Sequence, residues 1–397
     1  MNSYIKIVNA RIITPERVID NGNLLIKNDK IAAISKDDIA VDAAQEIDAQ
    51  GNYVAPGFID IHVHGGGGFD FMDNTAEAFI GIAQTHAKYG TTSMMPTTLS
   101  CEKEDLHRTI KTYEEVVDAD CLGAQFVGLH IEGPYFSMKQ KGAQDPKYIR
   151  NPDPQEYREL VASSKHIKRW SAAPELPGAI EFGEFLREHH IMASIAHTDA
   201  VYDDVMRAYE AGYSHATHFY SCMSGVSRRN AYRYAGVVES VYLLDDVTVE
   251  LIADGIHLPA PLLQLVHKIK GVDRIALVTD AMRAAGMPEG PSVLGSLKSG
   301  LDVIVEDGVA KLPDRTAFAG SVATMDRLVR NMIDLANVSI ADAVKMASTV
   351  PASILSISNQ KGDLSTGKDA DIVIFNENIS VQQTFVRGKL VFDVNKK

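Results

Sequence analysis

From about Pro56 to Ala352 the chain alternates short apolar runs with stretches in which apolar residues recur every three or four positions. The first pattern predicts strands buried on both faces. The second predicts helices with one apolar side, and the two in alternation predict a parallel sheet covered by helices. Eight runs carry the strand pattern: Phe58–Val63, Thr92–Pro96, Gln125–His130, Arg169–Ala173, Ile191–Ala196, Tyr213–Ala216, Thr248–Ile252 and Arg274–Val278. Ala76–Tyr89 and Tyr202–Ala211 are examples of the helical stretches between them. Eight such units within residues 56–352 suit an α/β fold of the (β/α)8 TIM-like barrel type, which takes about 250 residues.

The two ends of the chain read differently. Tyr4 to Ile13 is β-rich, Asp20-Asn21-Gly22-Asn23 reads as a turn, and Leu24 to Ile34 alternates into a further pair of strands. Ala370 to Phe375 and Val381 to Val394 repeat the pattern near the C-terminus, with Arg387-Gly388-Lys389 as a hairpin turn. The expectation is a small β-sandwich domain built from residues 1–55 and 353–397, flanking a barrel over 56–352. No internal repeat or low-complexity linker interrupts the chain.

Composition removes several classes of function. The 397 residues carry a formal net charge of -13, with 45% hydrophobic and 23% charged residues. An acidic globular chain has no general attraction for nucleic acid or for an anionic membrane, so any anion it binds needs local positive charge. Cys101, Cys121 and Cys222 are odd in number and far apart, which suggests neither a disulfide framework nor a zinc knuckle. Met1 to Lys6 lacks the charged-then-apolar pattern of a leader, and the apolar runs are strand-sized, so a cytoplasmic enzyme is expected.

Residues suited to catalysis fall at the C-terminal ends of the predicted strands, where barrel enzymes gather their active sites. The first ends in His62 and His64, the third leads into Glu132, the fifth into His197 and the sixth into His218. The seventh leads to Asp254 and His257, and the eighth to Asp280. Residues at i and i+2 of a strand share a face, so His62 and His64 can share a metal. Glu132, His197 and His218 offer one carboxylate and two imidazoles, the donor set of a hydrolytic zinc site with a position left for water.

Asp280 follows an apolar strand, where an ionisable group is costly unless paired. It reads as a general base that later serves as the acid, or else as the N-cap of a following helix. His130 shares a strand face with Glu132 and reads as an outer support. His215 points elsewhere, and His86, His107, His166, His189, His190 and His267 read as solvated. Arg228-Arg229 and His257 are the local positive charges available to an anionic substrate.

These motifs resemble the N-acetylglucosamine-6-phosphate deacetylases of the amidohydrolase superfamily. The resemblance runs through APGFIDIHVHGGGG (55–68), GLHIEGPYF (128–136), AHTDA (196–200), ATHFY (216–220), LIADGIHL (251–258), LVTDAM (277–282), FAGS (318–321) and GKDADIVIF (367–375). It implies a principal metal on Glu132, His197 and His218, zinc with iron as the alternative, and a second metal at His62 and His64 as in some members. It further implies Asp280 as catalytic acid and base, His257 and Arg229 as sugar-phosphate ligands, and a homodimer in which the arginine reaches into the neighbouring subunit. The modified lysine that ends the fourth strand in many amidohydrolases is absent; that strand ends in Ala172-Ala173-Pro174-Glu175, leaving the bridging role to Glu132.

Two positions depart from the family pattern. Gln144 stands where a substrate-contacting histidine is usual, and Ser221-Cys222-Met223 replaces the usual Asn-Ala-Met. The expected reaction is removal of the acetyl group from N-acetylglucosamine 6-phosphate. The alternatives are another N-acetylhexosamine phosphate such as N-acetylgalactosamine 6-phosphate, a different amide, or a barrel scaffold without chemistry.

Overall fold

The computed structural model describes residues 3–119 and 123–396; Met1, Asn2 and Cys121 of the sequence reading lie outside them. Seven of the eight strands read from the middle of the chain match observed ones to within two residues. The third is divided into Gln125–Phe126 and Leu129–Glu132. Gly128 causes the division: its φ of +134° is open to glycine but strained for other residues, and its N–H leaves the ladder to donate to the Tyr113 hydroxyl.

The strands form two all-parallel sheets. One runs in the order Gln125–Phe126, Thr91–Pro96, Phe58–Val63. The other runs Leu129–Glu132, Ile167–Ala172, Met192–Ile195, Tyr213–Ala216, Thr248–Leu251, Ile275–Leu277. Isolated parallel bridges, Thr97 to His130 and Val63 to Ala281, join the first sheet to the two edges of the second. Helices cover the outside. Ala76–Ala87 starts on the Thr75 hydroxyl, which accepts from the Ala78 N–H, and Tyr202–Ala211 stops at Gly212 with φ +114°. Their buried sides and the outward strand residues make one apolar core that includes Phe79, Ile131, Trp170, Phe182 and Val249.

The chain termini meet in one eight-stranded mixed sheet containing Tyr4–Ile13, Val18–Lys27, Lys30–Ser35, Gln45–Asp48, Tyr53–Pro56, Ile372–Phe375, Val381–Val386 and Lys389–Asp393. It has its own core, including Ile7, Ile12, Leu24, Ile26, Ile372 and Phe385. One local expectation fails here. Asp20 to Asn23 is not a turn but an irregular part of the strand Val18–Lys27, where Asn21 takes φ +54° and the register against Tyr4–Ile13 shifts. The reversal instead lies at Thr14–Arg17, closed by the Thr14 N–H on the Arg17 carbonyl. A bulge absorbs the turn-forming residues because Tyr4–Ile13 pairs with the strand before them, at Val18 and Ile19, and again from Gly22 onward.

Two elements were not anticipated. Gly290–Leu294, Leu301–Glu306 and Val309–Lys311 form a small antiparallel sheet inserted after the last parallel strand, and Ser227–Arg229 with Tyr232–Tyr234 forms an exposed hairpin.

Candidate metal centre

His62, His64, Glu132, His197, His218 and Asp280 come from five different strand ends and converge in the interior, each less than 9% exposed. The ligand atoms of His62, His64 and Glu132 lie within 4.8 Å of one another, as do those of Glu132, His197 and His218. Glu132 belongs to both groups. Its Oε1 is 3.1 Å from His218 Nε2, 3.5 Å from His62 Nε2 and 3.6 Å from His197 Nε2, while its Oε2 is 3.4 Å from His64 Nε2. Asp280 Oδ1 lies 3.1 Å from His64 Nε2 and 3.4 Å from His62 Nε2.

The imidazoles are oriented for a cation. His62 Nδ1 faces the Glu250 carboxylate at 3.0 Å, His64 Nδ1 the Thr97 carbonyl at 3.2 Å and His197 Nδ1 the Gln140 carbonyl at 2.8 Å. These partners only accept, so each Nδ1 carries the hydrogen and each Nε2 presents a lone pair. Two bare Nε2 atoms then face each other at 3.2 Å in the His62–His64 pair, and His197 and His218 Nε2 are equally close. Nitrogen and oxygen lone pairs gathered this closely repel unless a positive charge lies among them, and the donors fit a divalent metal. Protons are the other way to supply that charge. Burial lowers the affinity of His64 for a proton, yet hydrogen bonds to Asp280 and Glu132 outweigh it and push His64 up to about 10. For Glu132, burial acts upward but the surrounding histidines hold it well below the usual carboxylate range.

Local backbone geometry aims the ligands. His197, His218 and Asp280 hold φ of +45°, +29° and +48°, conformations that non-glycine residues adopt at a cost of about 1–3 kcal/mol and that cluster at functional sites. The Asp280 N–H donates to the His62 carbonyl at 2.9 Å, which ties the last strand end to the first. No helix begins at Asp280; an isolated bridge at Ala281 and turns follow it, so the capping alternative does not apply.

A cavity of about 420 Å³ opens from the centre. His64, Glu132, His197, His218 and Asp280 form its floor, and Gln144, Ser221, Cys222 and His257 lie in its walls with Leu99, Leu258, Leu294 and Phe318. His257 is held by Asp254, whose Oδ2 is 2.7 Å from His257 Nδ1. Gln144 is buried; its Oε1 accepts from the Ser100 N–H at 2.9 Å, which turns its amide nitrogen onto Glu132 Oε2 at 3.0 Å. Gly142 lets this loop pass close to the wall: a Cβ there would lie 2.7 Å from Cys222 Sγ. Arg229 does not join the cavity in its own chain. It is exposed on the Ser227–Arg229 hairpin, against the Tyr234 ring.

Other histidines divide as follows. His130 does not hydrogen-bond a ligand, but its ring meets the His62 ring edge-on at 4.8 Å. His215 points beneath the site, where its Nδ1 is 2.6 Å from Thr248 Oγ1. His86, read as solvated, is fully buried with Nε2 on the Gly65 carbonyl at 2.9 Å, because its helix packs that face against the loop after the first strand. The sequence reading missed Asp60, Arg169 and Glu250, which are all fully buried below the ligands. A charged residue in the middle of an apolar run, as in Val247-Thr248-Val249-Glu250-Leu251-Ile252, was the available signal.

The profile of the amidohydrolase family matches residues 53–391. The chain is 36% identical over 371 residues to an N-acetylglucosamine-6-phosphate deacetylase of Lysinibacillus sphaericus, covering 93% of each chain. It is 34% identical over 382 residues to an N-acetylgalactosamine-6-phosphate deacetylase of Escherichia coli O157:H7, covering 96% of this chain and 97% of that one. Among solved structures, the N-acetylglucosamine-6-phosphate deacetylase of Pasteurella multocida superposes with a TM-score of 0.91 at 31% identity, over 98% of this chain and 99% of that one. With nearly its whole length aligned to these enzymes and the profile match spanning residues 53–391, the chain belongs to the amidohydrolase family.

Proposed function

We propose that the protein hydrolyses the acetamide of N-acetylglucosamine 6-phosphate, releasing acetate and glucosamine 6-phosphate. The observation that carries this reading is a carboxylate, Asp280, set beside Glu132 and four clustered imidazoles, three of them with Nδ1 held by an acceptor, at the floor of a sugar-sized cavity. Relatives that align end to end with the chain are deacetylases of such substrates.

Glu132, His197 and His218 would hold the principal cation, zinc or iron, and His62 and His64 with Glu132 a second. A divalent cation there polarises an amide carbonyl and acidifies water. Asp280 takes the proton of the attacking water and returns it to the nitrogen as the C–N bond breaks, so that the amine leaves neutral. One N–H of Gln144 is engaged by Glu132, which leaves the other for the acetyl oxygen. Ser221 and Cys222 shape the wall around the sugar, and His257, held by Asp254, meets the phosphate. Arg229, exposed on its hairpin, reaches the phosphate of the neighbouring subunit in a homodimer.

The two parallel sheets and their bridging pairs support a single closed (β/α)8 barrel over residues 56–352. The separate core of the terminal sheet supports a small β-sandwich domain of residues 1–55 and 353–397. No helix among the described residues is long and apolar enough to cross a membrane, and a cytoplasmic location is part of the proposal.

A second reading, preference for the galacto epimer, rests on the E. coli relative and on Gln144 and Ser221 in the cavity wall. Acetate release with zinc supplied, from both epimers and from unphosphorylated N-acetylglucosamine, separates the readings. Preference for the first substrate supports the proposal, preference for the second moves it to the epimer, and indifference to phosphate overturns the sugar-phosphate assignment. Asp280→Asn should bind metal normally and lose at least about 100-fold in kcat, the contribution of a positioned acid–base group. Full activity in that variant would remove Asp280 from the mechanism.

A further inference from the structure

Beneath the metal centre lies a fully buried ion pair that the proposed chemistry does not use. Glu250 is the inward-facing residue of the strand Thr248–Leu251, flanked by Val249 and Leu251 in the outer core. One of its oxygens, Oε1, pairs with the Arg169 guanidinium. The same guanidinium is anchored on the Ser194 hydroxyl at 3.0 Å, the Thr217 hydroxyl at 2.8 Å and the Ile61 carbonyl at 3.2 Å. Partners from three other strands or strand ends therefore hold one cation in place, and that cation holds the carboxylate. The other oxygen, Oε2, accepts from His62 Nδ1 at 3.0 Å and from the main-chain N–H of His218 at 3.0 Å.

We propose that Glu250 is a positioning residue that keeps His62 in its Nδ1–H form, with the Nε2 lone pair toward His64 and Glu132, and thereby sets occupancy of the His62/His64 half of the centre. The inference rests on the metal reading of the preceding section. An acceptor-only group opposite Nδ1 leaves His62 one stable tautomer. The reversed tautomer would set a lone pair against the carboxylate and a hydrogen into the ligand cluster.

The effect is one-sided. Glu250 touches the His62 ring but only the backbone of His218, and it touches neither the His197 nor the His218 ring among the bonds that orient them. Glutamine at this position cannot serve both sides. With its oxygen toward Arg169, its amide hydrogens face the His218 N–H and His62 Nδ1. With its oxygen toward His62, they face the guanidinium.

The test compares wild type with Glu250→Gln and with Arg169→Met/Glu250→Gln, the latter removing both charges together so that no buried ion is stranded. Metal-stripped proteins are titrated with zinc alone by equilibrium dialysis, and cations per chain and both dissociation constants are read, with melting of the stripped proteins as the folding control. Wild type should take two cations. Glu250→Gln should keep the first affinity within about twofold and lose about 10–100-fold at the second, the usual effect of removing a ligand's outer partner. In the double variant no guanidinium faces the amide, its oxygen can turn to His62 Nδ1, and most of the second affinity should return. His62→Asn should give the same one-cation behaviour as Glu250→Gln, and adding Glu250→Gln to it should change nothing further. Equal losses at both positions in Glu250→Gln, or none, overturn the role of Glu250. Wild type that takes a single cation also overturns it while leaving the metal reading intact, whereas wild type that takes none overturns the metal reading itself.

Discussion

Replacing Arg283 with methionine should loosen the antiparallel insert beside the active site without unfolding the rest of the chain. Arg283 is 5% exposed and its guanidinium clamps three segments. It donates to Asp73 Oδ2 and Oδ1 at 2.9 and 2.8 Å, to the Gly68 carbonyl at 2.7 Å, and to the insert at the Gly295 carbonyl at 2.6 Å and the Val293 carbonyl at 3.3 Å. A hydrogen bond to a charged group contributes about 1.5–3 kcal/mol, but bonds from one side chain do not add. Asp73 also keeps the N–H groups of Asp70 and Leu297 as donors, so it is not left bare. We expect Arg283→Met to cost about 3 kcal/mol locally, with about 2 kcal/mol of that shared with Asp73.

Hydrogen–deuterium exchange over residues 290–311 reads this directly: about 3 kcal/mol is about a 100-fold loss of protection. KM should rise as well, because Leu294 of the insert lines the cavity. In a cycle with Asp73→Asn, the double variant should lose clearly less than the two single losses summed. The pH dependence has a definite sign. Burial raises the Asp73 carboxyl, but Arg283 and the two N–H groups outweigh it and hold it below 3.8. Its contribution is therefore present above about pH 4 and fades in more acid solution. Without Arg283 that opposition to burial is lost and the carboxyl rises, so the cost of the substitution should be smallest in acid, grow as pH rises through the carboxyl's titration, and then level off. Strictly additive losses, or exchange that quickens equally across the whole chain, would refute the clamp.

Two further expectations concern single positions. Burial holds His86 below 6.5, with its bond to the Gly65 carbonyl opposing the shift only in part. The unfolded chain therefore takes a proton that the folded chain refuses, and stability falls as pH drops below 6.5 by up to about 1.4 kcal/mol per pH unit. Urea melts of metal-stripped His86→Gln, which keeps a donor for Gly65, should show a margin to wild type that shrinks from pH 7 to 5; a constant margin counts against it. Gly142→Ala should lose about 1–2 kcal/mol for a side chain at φ +54° and, by pressing on Cys222, misplace Gln144 and lower kcat. Adding Cys222→Ala should restore part of the activity, and no rescue would mean that backbone strain alone is responsible.

What the chain announced by itself is local. Apolar runs of four to six residues between amphipathic stretches marked the parallel strands, since a strand buried on both faces must be apolar throughout. Polar residues at or just beyond the ends of those runs marked His62, His64, Glu132, His197, His218 and Asp280, because the strand ends are where a parallel sheet leaves room for chemistry. Only the tertiary structure decided what supports them. Arg169 and Glu250 are 81 residues apart; Arg169 looks like the last of a basic stretch and Glu250 like an isolated charge in an apolar run until the strands between them bring the two together. The antiparallel insert at 290–311 and the clamp at Arg283 depend likewise on contacts across more than 200 residues. The strand Val18–Lys27 kept Asn21 and Gly22 despite their turn-forming character because Tyr4–Ile13 pairs with it before them, at Val18 and Ile19, and again from Gly22 onward. Periodicity reports which face a residue presents to the interior. Which charge meets which partner there is set by where the strands lie in the sheets, and no local pattern carries that information.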